Sequence, residues 1–205
     1  MPTELKLVIF VVASAGIIYV SRASLRSLGS HGFYRFFAWE AILALVLLNL
    51  DYWFYKPFRF TQIASWLCLC LSLFLVIHGV QLLRMIGKPD DRRNDTSLLR
   101  VEKTTTLVTV GAYRYIRHPL YSSLLFLAWG VFFKSPSWLG GSLAIAATAF
   151  LTATAKVEEI ENTRYFGSAY QEYVKQTKII GMPTAAWRRL ATGGCPCRLE
   201  CDPSR

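Results

Sequence analysis

A chain of 205 residues that is 53% hydrophobic and 14% aromatic, with a mean hydropathy of +0.33, is too apolar for an ordinary soluble domain of its size. The formal net charge of +10 is accounted for by membrane topology and contact with anionic headgroups, so no nucleic-acid partner is expected. Membrane lipids are the expected surroundings.

Apolar runs mark about five candidate membrane spans, at residues 5–20, 36–54, 63–83, 119–133 and 138–155. The first contains the small-x-small stretch "VVASAG", as a signal peptide would. The residues before it offer only Lys6, offset by Glu4, so a retained helix is expected. Alternating the spans places nineteen Lys and Arg on one side and four (Lys6, Lys56, Arg59 and Lys134) on the other. Positive charge collects on the cytoplasmic side. The expected topology therefore has the N-terminus outside and the C-terminus in the cytoplasm, in a bacterial inner membrane or an endoplasmic reticulum membrane.

The expected architecture is all-α, a polytopic membrane protein with a C-terminal cytoplasmic helical segment. Its expected parts are three transmembrane helices over 1–86, a cytoplasmic loop over 87–118, a transmembrane hairpin over 119–155, cytoplasmic helices over 156–186 and a flexible tail over 187–205. The loop is polar and broken by Gly87 and Pro89. Beyond the fifth span, spacing predicts two short helices joined at Gly167, the second ending before Gly181 and Pro183. Cys195, Cys197 and Cys201 in the tail lack the fourth ligand that structural zinc requires, so no metal site is expected.

Ionisable groups within a span are costly and therefore candidates for function. Glu40 lies in the second run, and His78, Gln81 and Arg84 follow at i, i+3 and i+6 in the third, so these four are expected either to line a cytoplasmic cavity or to reach a neighbouring helix and the interface. Arg117 and His118 immediately precede Pro119. Proline favours the first position of a helix and holds the residue before it extended, so the fourth helix is expected to start at Pro119 with Tyr121 in its first turn. The short turn "KSPS" makes the fourth and fifth spans antiparallel neighbours, which brings Arg117 and His118 near Glu158 and Glu159.

Two separated motifs carry a resemblance. "LVTVGAYRYIRHPLY", a hydrophobic hairpin, then "EEIENTRYFGSAYQEYVKQTKIIGMP" together resemble the C-terminal catalytic half of the isoprenylcysteine carboxyl methyltransferases and their phospholipid-methyltransferase relatives. The similarity runs over residues 107–183. It implies S-adenosylmethionine bound on the cytoplasmic side and a lipophilic small-molecule or lipidated substrate entering from the bilayer. It further implies Arg117 and Glu159 as the catalytic pair, with His118, Tyr121, Glu158, Tyr113 and Tyr170 holding the cofactor. The chain departs from the pattern at Ser122 and Ser123, where many relatives carry a bulky residue and glycine, and at Asn162, where the carboxylate motif often continues with leucine. Alternative readings are an NADPH-dependent membrane reductase of the sterol-reductase type, a phospholipid N-methyltransferase, and a non-catalytic membrane protein whose motifs pack the hairpin.

Overall fold

The computed structural model describes residues 1–27, 29–55, 57–87 and 106–177. Expectations for the rest of the loop, for residues 178–186 and for the tail with its three cysteines lie outside the described residues. Among the described residues six α-helices follow one another: α1 (Thr3–Leu25), α2 (His31–Asn49), α3 (Phe60–Met85), α4 (Pro119–Phe132), α5 (Trp138–Phe166) and α6 (Ser168–Gln176). Single 3-10 turns occupy Leu50–Tyr52 and Gly111–Arg114. Among the described residues there is no strand.

Four helices, α1, α2, α3 and α5, are long and apolar enough to cross a membrane, and α4 is a shorter apolar helix. Large apolar side chains such as Val12 on α1 and Leu67 and Phe74 on α3 face outward, as lipid-facing residues do. The chain is a helical membrane protein.

Two sequence boundaries move. α2 starts at His31 rather than Phe36, because the Ser30 side chain accepts a hydrogen bond from the Phe33 amide and caps a first turn that is not apolar. The first of the two short helices expected after the fifth span does not exist separately. No glycine or proline interrupts residues 142–166, so the span runs on unbroken to Phe166. At about 1.5 Å per residue, its 29 residues outrun a hydrocarbon core of about 30 Å by two turns or more. The expected joint at Gly167 is there, with φ +60°.

Small residues set the packing. Along α3, Ser65, Ser72 and Gly79 recur every seventh residue against α4. The Ser65 and Ser72 hydroxyls donate to the Gly130 and Ser123 carbonyls at 2.6 and 2.7 Å, and Gly79 lies beneath Leu120. In lipid, where helix association gains little from the hydrophobic effect, close approach and such bonds supply the attraction. On the other side of α4, Ala38, Ala41 and Leu45 of α2 meet Ala144, Ala147 and Leu151 of α5 in one buried seam.

The helix ends sort into two groups. At one end the N-terminal ammonium and Lys6 pair with Asp51 at 2.8 and 2.6 Å. There too, Lys134 donates to Gln62 Oε1 at 3.1 Å and sits 3.7 Å from the Trp66 ring centroid. At the other end His31, Arg117 and His118 meet the acidic extension of α5.

Candidate active site

Pro119 begins α4, with His118 as the preceding, non-helical residue. Upstream, Gly111 adopts φ +60°, and a Cβ there would come within 2.6 Å of Leu82 Cδ1 and 2.8 Å of His78 Nε2. Only glycine lets this turn press onto α3. The turn places Tyr113 toward α6, where the Tyr173 hydroxyl donates to the Tyr113 carbonyl at 2.6 Å.

These elements enclose a pocket holding about 580 Å³ between its walls, open solvent at its mouth included. Tyr113, Arg117, His118, Tyr121, Glu158 and Tyr170 line it, all named from the sequence. With them are Asn162, known from the sequence only as a departure from the family pattern, and Leu83, Leu107, Val108, Leu120, Phe166 and Tyr173, to which the sequence assigned no site role. Glu159 stands beside the pocket through Arg117. None of Glu40, His78, Gln81 and Arg84 lines it, so of the two arrangements open to them the shared cavity is not the one found. Glu40 accepts from Ser14 of α1 at 2.6 Å, and His78 stacks on Phe74 and packs under Gly111. A helical face is defined by sequence spacing, but which neighbour it meets is not.

Four charged or titratable side chains interlock. Arg117 Nε is 2.9 Å from Glu159 Oε1, with side chains 8% and 18% exposed. His118 lies between the carboxylates, Nδ1 3.7 Å from Glu158 Oε2 and Nε2 3.6 Å from Glu159 Oε1. Its ring stacks on Tyr121 at 5.4 Å. Burial works against charge on Glu158, but the charges of His118 and His31, with a hydrogen bond from Tyr121 and the charge of Arg35, outweigh it and hold Glu158 below its ordinary value. Burial, then the charges of Glu159 and Glu158, push the Tyr170 phenol up, and burial does the same for Tyr173. Both tyrosines therefore stay neutral near pH 7, able to donate but not to act as bases.

Three atoms are left wanting. Arg117 Nε, His118 Nε2 and Glu159 Oε1 are buried, and none makes a hydrogen bond of good geometry among the described residues. The Arg117–Glu159 contact is thus held by charge, while Arg117 Nη1 donates to the Val174 carbonyl at 3.3 Å. Buried polar atoms without bonds are costly, and a polar ligand entering beside them would recover that cost.

A polytopic helical membrane protein with a basic helix start facing an acidic helix end around an aromatic pocket is the class that fold and site define. The phospholipid methyltransferase family model matches residues 60–169, and the chain belongs to that family. It is 32% identical over 123 residues to the human protein-S-isoprenylcysteine O-methyltransferase, covering 58% of this chain and 42% of that protein. The Xenopus laevis protein-S-isoprenylcysteine O-methyltransferase is 30% identical over the same length, covering 58% and 41%. The chain thus spans about two fifths of the length of the curated relatives it matches. No solved structure matches it significantly.

Proposed function

We propose that the chain is an integral membrane S-adenosylmethionine-dependent methyltransferase acting on the carboxylate of a lipidated or otherwise lipophilic acceptor. The observation that carries this is the buried Arg117–Glu159 pair, within the segment that matches the family, beside a pocket lined by His118, Glu158 and four tyrosines.

The residues fit the cofactor's chemistry. S-adenosylmethionine supplies an electrophilic methyl group on a sulfonium cation, carried by a molecule with an amino acid end and a ribose diol. Glu158, kept ionised, and the faces of Tyr113 and Tyr170 suit a cation and the ribose hydroxyls. His118 and Tyr121 offer polar partners at the same wall. Arg117 matches a carboxylate in shape and charge, and holding an acceptor carboxylate in line with the methyl donor requires no general base.

That same cation disfavours a phospholipid amine as acceptor, since Arg117 would repel a protonated amine. An NADPH-dependent reductase is disfavoured as well, because dinucleotide phosphates would face Glu158. We place the site on the cytoplasmic side, with the N-terminus outside, on the strength of the asymmetry of basic residues. In that arrangement α4 makes a fifth, short crossing, and residues 106–118 with the end of α5 and α6 lie on the cytoplasmic side.

Incubating membranes containing the protein with methyl-labelled S-adenosylmethionine, then extracting the product, tests the assignment. A base-labile methyl ester on a lipophilic carboxylate is expected. Label in phospholipid headgroups, or none in any extract, overturns the acceptor class or the activity.

A further inference from the structure

No residue of α2 lines the pocket, yet the first turns of α2 reach the acidic end of α5. His31 is fully buried, with Nδ1 2.6 Å from Glu161 Oε2. Arg35, one turn further on, is 5% exposed; its guanidinium stands 5.2 Å from the Trp39 ring centroid, and its charge acts on Glu158. Glu158 and Glu161 are three residues apart on α5, neighbours on one side of that helix.

The rest of the α2–α5 seam is apolar, chiefly alanine and leucine with Ile42 and the stacked Phe37 and Phe150, which pack without electrostatic help. Burying two cationic side chains is costly unless opposite charges meet them. Here the opposite charges are the carboxylates that join the seam to the pocket. Burial draws the His31 pKa down, but the hydrogen bond to Glu161 and the charges of Glu158 and Glu161 hold it above its ordinary value. Glu158 receives His118 from the residue before α4 and Asn162 Nδ2, at 3.4 Å, from its own helix. The carboxylate that faces the pocket is thus held from two sides.

We propose that His31 and Arg35 are positioning residues for the pocket, holding Glu161 and Glu158 through α5 so that Glu158 is presented, ionised, to the bound methyl donor. This rests on the reading of the pocket as an S-adenosylmethionine site. Both residues precede residue 60, where the segment shared with the family begins, so the device belongs to the N-terminal helices of this chain.

The test is calorimetric titration of the purified full chain, in phosphatidylcholine nanodiscs, with S-adenosylmethionine. His31→Leu and Arg35→Met are expected to weaken binding about tenfold, while His31→Asn, which keeps a donor near the Nδ1 position, and Arg35→Lys recover most of it. Folded His31→Leu protein, by circular dichroism, that binds as tightly as the wild type overturns the proposal. Equal weakening by His31→Leu and His31→Asn also overturns it, because the donor would then be irrelevant. As a readout that needs no variant, the chain has three histidines, and the nitrogen resonances of the buried His31 imidazole are expected to shift when S-adenosylmethionine is added. Unmoved resonances overturn the proposal. Wild-type protein that binds no S-adenosylmethionine brings down the pocket assignment itself, an outcome distinct from tight binding by both wild type and variants.

Discussion

Arg117, in the segment just before α4, and Glu159 of the antiparallel α5 meet through their Nε and Oε1 atoms at 2.9 Å, where neither is open to water. Removing one partner strands the other charge. Arg117→Ala and Glu159→Ala are therefore each expected to lower methyl transfer by about 10²- to 10³-fold. Arg117→Lys is expected to recover little, because a point charge does not replace a planar fork. Initial rates with labelled donor, on protein shown to be folded, check this; near-wild-type rates for both alanine variants would leave the pair a structural bridge.

A second expectation concerns Gly111. With φ +60° and a would-be Cβ 2.6 Å from Leu82, alanine there is strained and also clashes. Gly111→Ala is expected to destabilise the protein by about 2–4 kcal/mol and to loosen Tyr113 from Tyr173. Weaker donor binding should accompany a lower Tm. His78→Ala is expected not to rescue it, since the Leu82 contact remains.

Much of this site was legible because its parts are local. Pro119 marks a helix start, "KSPS" a hairpin, and Gly167 a joint, and each acts within a few residues. Arg117, His118, Glu158 and Glu159 then follow from the antiparallel hairpin. What escaped was set by tertiary packing. Arg35 counts among the basic residues that set topology, His31 belongs to no motif, and Glu161 stands in the acidic cluster after the fifth span with no partner assigned to it. The imidazole following the capping Ser30, buried at the α2 start, was the available signal. His78 failed the other way: its spacing suggested a polar face, but its neighbour is a glycine turn.

Stability should depend on pH in two directions. Folding raises the His31 pKa above its ordinary 6.5, so its contribution is complete below about pH 6.5 and is lost as pH rises through the folded-state value. Folding lowers that of Glu158 from 4.5, so its contribution is present above about pH 4.5 and is lost as pH falls through the folded-state value. Maximum stability is expected between those limits. Thermal unfolding in nanodiscs should show Tm falling by about 2–4 °C on the alkaline side, a limb that His31→Asn flattens. An unchanged alkaline limb in that variant would assign the loss to another group.

The opposite end of the bundle offers a control with the reverse outcome. Lys134 is 4% exposed, bonded to Gln62 Oε1 and the Trp53 carbonyl, with its ammonium over the Trp66 ring. Gln62 closes the cluster by donating to the Tyr52 and Lys134 carbonyls. Truncating Lys134 leaves these acceptors and the ring without their cation, so Lys134→Ala is expected to cost about 2–3 kcal/mol of stability. Because the pocket lies at the far ends of the helices, KM for the methyl donor is expected to stay within about twofold of wild type. A large change in KM without loss of Tm would mean that the two ends are coupled, and the separation of a stabilising cluster from a chemical one would fail.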